Sequence, residues 1–392
     1  MNFERVELSE SDAEFRDEVD AFLAEHVTDE VRRRDRETGD NFDEGLHQAM
    51  AAAGWLAAEL GMPGGPELDR LRRRLWDLSK RRAEVPWVTW GTTAIVVPSV
   101  RNHGSRELQE EVLPGVLDGS VRLCLGYTEP DGGSDVATCR TRAVRAGDEW
   151  VINGAKMFTT GAHNCRYVFL ITNTDPEAPK HKSLTMFLVP LDTPGVEIQG
   201  LRTVDGDRTN IVYYSDVRVP DRYRLGEVNQ GWSVLLGPLN EEHGVVGAAA
   251  DGLQDVSILT HQGLTMATVV DRVSGLAAGR IAEDRSAAYR LGRSVAKVEA
   301  ALSAPHMFGR VALAQTMRDI APDLMDVLGP TAALPSGPDG PADAGYLYRW
   351  APLCGIYGGT LEVFRNMIAQ HVLGLGRPAY GRSKPKVGAA AG

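Results

Sequence analysis

Residues 123–161 read LCLGYTEPDGGSDVATCRTRAVRAGDEWVINGAKMFTTG. Two places in this stretch hold residue types suited to gripping a ligand. Thr128, Gly132, Gly133 and Ser134 combine bare backbone with hydroxyls on a turn. Such a turn can present N–H and O–H groups to an oxygen-rich ligand. Phe158, Thr159 and Thr160 set an aromatic ring beside two hydroxyls. On the residues alone, an ordinary hairpin with standard turn chemistry accounts for the same stretch equally well.

A third place is LNEEHGVVGAAADG, residues 239–252. Leu235, Leu239, Val246, Ala249 and Leu253 fall on one apolar stripe of a helix. At about 100° per residue Glu242 lies inside that stripe and Glu241 points off it. A carboxylate on a buried stripe is costly unless it has a task or a partner. A structural ion pair would serve as well as a chemical role.

The elements that must position these residues follow from hydrophobic period. The first third is helical: SDAE at 11–14 can form a capping box, with Phe15, Val19, Phe22 and Leu23 on one face. From about 121 to 228 the period shortens to that of strands, with turn signals at Gly147-Asp148 and Asn153-Gly154. After 229 helical spacing returns, up to a final helix in GGTLEVFRNMIAQHVLGL. The expected fold class is α+β. It comprises an N-terminal helical domain (1–120), a middle β-barrel or sandwich domain (121–228), a C-terminal helical bundle (229–380) and a disordered tail (381–392).

Composition narrows the function classes. A chain of 392 residues is long enough for a large core. Its net charge of -11 argues against nucleic acid and anionic membranes as partners. No apolar run reaches membrane-spanning length, and the N-terminus lacks an apolar signal segment, so a cytoplasmic location is expected. Cys124, Cys139, Cys165 and Cys354 have no CxxC spacing. Buried reduced thiols are expected, with no metal site.

Taken together, YTEPDGGSD, KMFTTG and YGGTLEVFRN resemble the three motifs of the acyl-CoA dehydrogenase family, in family order and spacing. The helix–β–helix layout agrees. The resemblance implies an FAD-dependent enzyme that converts an acyl-CoA thioester to the trans-2-enoyl-CoA, with an electron-transfer flavoprotein as acceptor. It implies that Tyr127 and Thr128 contact the flavin ring system, and that Gly133 and Ser134 lie on the flavin-and-substrate turn. Phe158 would pack on the flavin ring and Thr160 would bond near its N5 edge. Thr360 and Glu362 would reach its phosphate–ribose region, where a helix N-terminus favours an anion.

In most family members a carboxylate base directly precedes the Gly-Thr of the third motif. Here that position is Gly358. A minority carry the base on an earlier helix, with a glycine ten residues later. Counting back from Gly252 gives Glu242, which the stripe also selects. His243 stands where the family usually has Arg. Gly358 leaves space beside the reacting carbons, which suits a branched or bulky acyl group; a steroid side chain is one form.

The family also shares flavin contacts between subunits. A neighbour donates an Arg-x-x-Phe-Gly segment and a Gln-x-x-Gly-Gly segment. Here the single Phe-Gly pair is Phe308-Gly309, with Pro305 in the Arg position. The second segment has Asp326 for Gln and Pro330 for the second Gly. The chain is therefore expected to pair with a homologous second subunit as α2β2, like the heteromeric actinobacterial steroid side-chain enzymes that it resembles. The alternatives are a non-catalytic partner subunit and a flavin monooxygenase on the same fold.

Overall fold

The computed structural model of the protein describes residues 7–242, 258–304, 306–334 and 344–376. The N-terminal helices are α1 (Glu10–His26), α2 (Asp29–Thr38), α3 (Glu44–Ala52), α4 (Trp55–Glu59), α5 (Arg70–Arg82), α6 (Val88–His103) and α7 (Arg106–Leu117). The cap of α1 is Ser9, not the expected Ser11. The Ser9 hydroxyl accepts from the Asp12 N–H at 3.2 Å, so the helix starts earlier than the SDAE reading placed it.

Eight strands follow: β1 (Leu123–Gly126), β2 (Arg142–Ala146), β3 (Glu149–Lys156), β4 (Tyr167–Asn173), β5 (Leu184–Pro190), β6 (Val196–Arg202), β7 (Arg208–Pro220) and β8 (Arg224–Leu225). They form one sheet in the order β6-β7-β3-β2-β4-β5-β8, with β1 parallel to β4. β4 and β5 are near-continuous apolar runs buried on both sides. Of the two expected turns, the one at Gly147-Asp148 joins β2 to β3. The Asn153-Gly154 signal marks a bulge inside β3, where the register shifts against β7. Gly154 has φ 149, and a Cβ there would lie 2.6 Å from Thr141 Oγ1, so the glycine serves close approach and not a turn.

The C-terminal helices are α8 (Gly231–Glu242), α9 (Ile258–Leu276), α10 (Ala278–Glu283), α11 (Arg285–Leu302), α12 (His306–Leu328), α13 (Ala344–Trp350) and α14 (Leu361–Met367). The expected last helix is broken: α14 runs on into a π-helical segment, Ile368–Val372. One core joins the N-terminal helices, the sheet and the start of α8. A second core lies within α9 to α14. The tail 381–392 lies outside the described residues.

The helical N-terminal part meets the sheet backbone to backbone. Gly39, at φ 64, ends α2, and its carbonyl accepts from the Arg208 N–H at 2.7 Å. A Cβ at Gly39 would fall 2.3 Å from the Gly206 carbonyl oxygen.

Candidate functional site

The first two motifs form one surface. β3 delivers Lys156 to the end of β1, where the chain turns through 127–134. The Met157 N–H donates to the Thr128 carbonyl at 2.8 Å. Lys156 Nζ donates to Glu129 Oε1 at 2.8 Å and to the Tyr127 carbonyl at 3.2 Å. Lys156 is fully buried and Glu129 is 9% exposed. Glu129 also accepts from the Arg140 N–H at 2.7 Å and the Thr141 N–H at 2.8 Å. Burial pushes its carboxyl up, but the Lys156 charge and these bonds prevail and hold it at about 2.

The glycine turn is tied at its flanks. Asp131 pairs with Arg140 at 2.6 Å, and Asp135 pairs with Lys180. Ser134 and Gly132 stay exposed. A Cβ at Gly133 would sit 3.1 Å from Thr128 Cγ2, so the turn folds closely over Thr128. The Tyr127 ring meets Phe169 edge-on at 6.0 Å.

Phe158 has φ 57, in the left-handed region, and its side chain is 54% exposed. A large aromatic in that conformation is strained, and strain of this kind collects at ligand sites. The next residues are clamped by β7. The Thr159 N–H donates to the Asn210 carbonyl at 2.9 Å, and Asn210 Nδ2 donates to the Thr159 carbonyl at 3.0 Å. Thr160 Oγ1 lies 3.1 Å from Thr209 Oγ1. Behind the clamp, His163 lies 3.1 Å from Asn210 and 3.0 Å from Asp40. The buried Thr159 hydroxyl has no hydrogen-bond partner among the described residues. An exposed aromatic, a neighbouring hydroxyl and a glycine turn make a surface that fits a flat, hydrogen-bonding ring system, as a flavin is.

The third motif is held within the C-terminal helices. Gly358 and Gly359 are both left-handed, at φ 61 and 87. Thr360 caps α14, its Oγ1 accepting from the Val363 N–H at 3.2 Å. Glu362 is exposed and lies 3.8 Å from Arg365. In α8, Val234, Leu235 and Pro238 are buried, while Ser233, Leu236 and Gly237 are exposed. The helix backbone continues to position 242, two turns after Leu235. The Glu242 side chain, His243, Val246, Ala249 and Leu253 lie outside the described residues.

Of the two segments that depart from the donated family elements, the second carries ion pairs of its own. Asp326 meets Arg290 at 3.2 Å, and Asp323 is shared by Arg290 and Arg293. Pro330 lies in a tight 3-10 turn, Gly329–Ala333, and Phe308 is 41% exposed on α12. Pro305 lies outside the described residues.

Glu129, Lys156, Thr209, Asn210, His163 and Asp40 were not singled out from the sequence. Nothing local marks Glu129 and Lys156 as a pair, since they lie 27 residues apart.

Three family models match the chain: Acyl-CoA dehydrogenase, N-terminal domain, over 9–120; middle domain, over 124–217; and C-terminal domain, over 229–373. Acyl-CoA dehydrogenase FadE26 of Mycobacterium tuberculosis is 30% identical over 410 aligned residues, 95% of this chain and 99% of the relative. The solved structure of the Tcur3481-Tcur3483 steroid ACAD matches with a TM-score of 0.80 and 30% identity, covering 96% of this chain and 100% of that one. The ChsE4-ChsE5 complex from Mycobacterium tuberculosis matches with a TM-score of 0.79 and 27% identity, covering 96% of this chain and 100% of that one.

Proposed function

The chain belongs to the acyl-CoA dehydrogenase family, and from that premise we propose that it oxidises a branched or bulky acyl-CoA to its trans-2-enoyl-CoA. A steroid side-chain acyl group is the form we favour. The observation that carries the reading is the wall made by 127–134 and 156–161, cross-linked by Lys156 and Glu129, with Phe158 held outward at φ 57.

In this reading Phe158, Thr160, Tyr127, Thr128 and Gly133 hold FAD, with Thr360 and Glu362 nearer its phosphates. FAD, when bound there, would supply the hydride acceptor for the substrate's beta carbon. Glu242 takes the alpha proton. Ser134 and Gly358 border the acyl thioester, and the absence of a side chain at 358 makes room for bulk. An electron-transfer flavoprotein takes the electrons onward. Similarity to the Tcur3481-Tcur3483 steroid ACAD supports a steroid substrate.

Phe158 supplies a test with two opposed signs. In the assembly stripped of flavin, Phe158→Gly is expected to raise stability by about 1 kcal/mol, because glycine adopts the left-handed region freely. The same change is expected to weaken FAD binding about tenfold or more. Denaturant titration and flavin titration read the two effects, and loss of both stability and flavin would mean the ring is ordinary packing.

The assembly is proposed to be α2β2 with a homologous chain that supplies the donated arginine. The similar Tcur3481-Tcur3483 and ChsE4-ChsE5 structures each pair two differently named proteins. Arg272 of α9 and Arg280 of α10 could in principle take over the donated arginine's contact, but each has a partner: Arg272 pairs with Glu84 at 3.4 Å, and Arg280 donates to the Val327 carbonyl at 3.3 Å. Without a partner arginine the pyrophosphate lacks its counter-charge. Expressed alone, the chain should bind FAD poorly. Co-expressed with a homologue, it should yield two flavins per tetramer and acyl-CoA-dependent bleaching of the flavin. An active homotetramer with one FAD per chain would refute the pairing. Oxygen uptake coupled to turnover would favour the monooxygenase reading.

A further inference from the structure

Arg310 is one of the largest fully buried side chains, 1% exposed, on α12. Its Nη2 donates to the Tyr357 carbonyl, and to the Gly359 carbonyl at 3.4 Å. Its Nη1 donates to Gln262 Oε1 at 3.2 Å. The guanidinium carbon lies 5.8 Å from the ring centroids of both Tyr357 and Phe364. Gln262 closes the ring of contacts, its Nε2 donating to the Tyr357 hydroxyl at 3.3 Å. Two helical turns on, Arg318 Nη2 donates to the Pro352 carbonyl at 2.9 Å. Two arginines of α12 thus grip the backbone of the loop that leads into the third motif.

We propose that Arg310 is a positioning residue for the dehydrogenation, fixing the Gly358–Thr360 backbone against which the acyl thioester lies. The inference rests on the functional reading above. Two consecutive glycines are the most costly segment to order, because each has the most backbone freedom to lose. Here both must also be left-handed. A trans peptide sets its C=O and N–H on opposite sides. With the carbonyls of 357 and 359 drawn to Arg310, the N–H groups of Gly358 and Thr360 turn away from it. Backbone N–H groups of a turn that point one way form a concave, weakly positive surface. Burying a cation behind that turn is expensive, and the carbonyls and ring faces around Arg310 offset part of that cost.

The test uses the assembled, flavin-loaded complex. Arg310→Gln should keep FAD content and mass, while kcat falls by about tenfold to a hundredfold with a smaller rise in KM, since about 1 Å of misplacement costs rate on this scale. Arg310→Lys, which keeps the charge but loses the planar fork that reaches the 357 and 359 carbonyls together, should recover only part of the lost kcat. Hydrogen exchange should speed up by about tenfold or more in amides 358–362 and stay unchanged in β4 and β5. Wild-type kcat in an assembled Arg310→Gln complex would overturn the proposal, even with faster exchange. Should Arg310→Gln not assemble, Gln262→Met decides: slower turnover with normal flavin and looser 358–362 amides supports it, and unchanged values overturn it. If the wild-type complex does not dehydrogenate any acyl-CoA, the reaction reading fails. The exchange result then judges the Arg310 clamp by itself.

Discussion

Glu242→Gln is expected to leave the assembled complex folded and yellow, and to cut dehydrogenation by roughly 10² to 10⁴. Glutamine keeps the size and the hydrogen-bonding oxygen but cannot take the alpha proton. Gly358 cannot take over, because it has no side chain. The apolar stripe read from Leu235, Leu239 and Val246 leaves position 241 off it and includes position 242. Pro238 lies inside the helix, so α8 lacks one backbone bond a turn before that position. Glu241→Gln, off that stripe, should change the rate by less than about threefold. Anaerobic mixing with acyl-CoA, followed by flavin bleaching, isolates the chemical step. If Glu241→Gln shows the larger loss, the base has been assigned to the wrong carboxylate.

Lys156→Met is expected to destabilise the complex by about 3–5 kcal/mol, the usual cost of leaving a buried charge without its partner. Lys156 is fully buried, and its ammonium joins Glu129 to the Tyr127 carbonyl. Removing it leaves Glu129 with its backbone donors at 140 and 141 but no counter-charge. Lys156→Met combined with Glu129→Gln should regain part of the loss, since a neutral amide is cheaper to bury. The same pair predicts a pH response. Glu129 is held at about 2, against 4.5 for a free carboxyl. Its contribution is therefore complete above about pH 4.5 and is lost as pH falls toward 2. Denaturant titrations at pH 7 and pH 3.5 measure both effects. A Lys156→Met complex within about 1 kcal/mol of wild type at pH 7 would show that the tie is dispensable.

Much of the architecture was legible because it rests on period and punctuation. The apolar runs in YVFLITNT and LTMFLVPL became β4 and β5, and Gly147-Asp148 became the hairpin turn between β2 and β3. The errors share a physical cause. Asn153-Gly154 has the composition of a turn, but the glycine is required by Thr141 across the sheet, a contact that local sequence does not encode. Likewise α14 gives way to a π-helical turn at Ile368, although its propensities favour a plain helix. At the site, hydroxyls and glycines were legible because their types are unusual together. Glu129 and Lys156 were not, since they lie 27 residues apart and only folding brings them together. Arg310 was hidden for a similar reason: an arginine on a helix normally reads as solvated.

The contact at Gly39 has a consequence for how the molecule comes apart. No side chain separates the end of α2 from the turn between β6 and β7; backbone lies directly on backbone. Layers that slide past one another do so by small rotamer changes in the side chains between them. At Gly39 itself there is none to adjust, and beside it Arg202 ties the Glu37 carbonyl at 3.2 Å and His163 meets Asp40 at 3.0 Å. A shift large enough to part Gly39 from Gly206 also breaks the bond between Gly39 and Arg208 and opens a core shared by both sides. The N-terminal helices and the sheet are therefore expected to lose their structure together, which hydrogen exchange would show as one protection level across α2 and β7, while the C-terminal helices keep a core of their own.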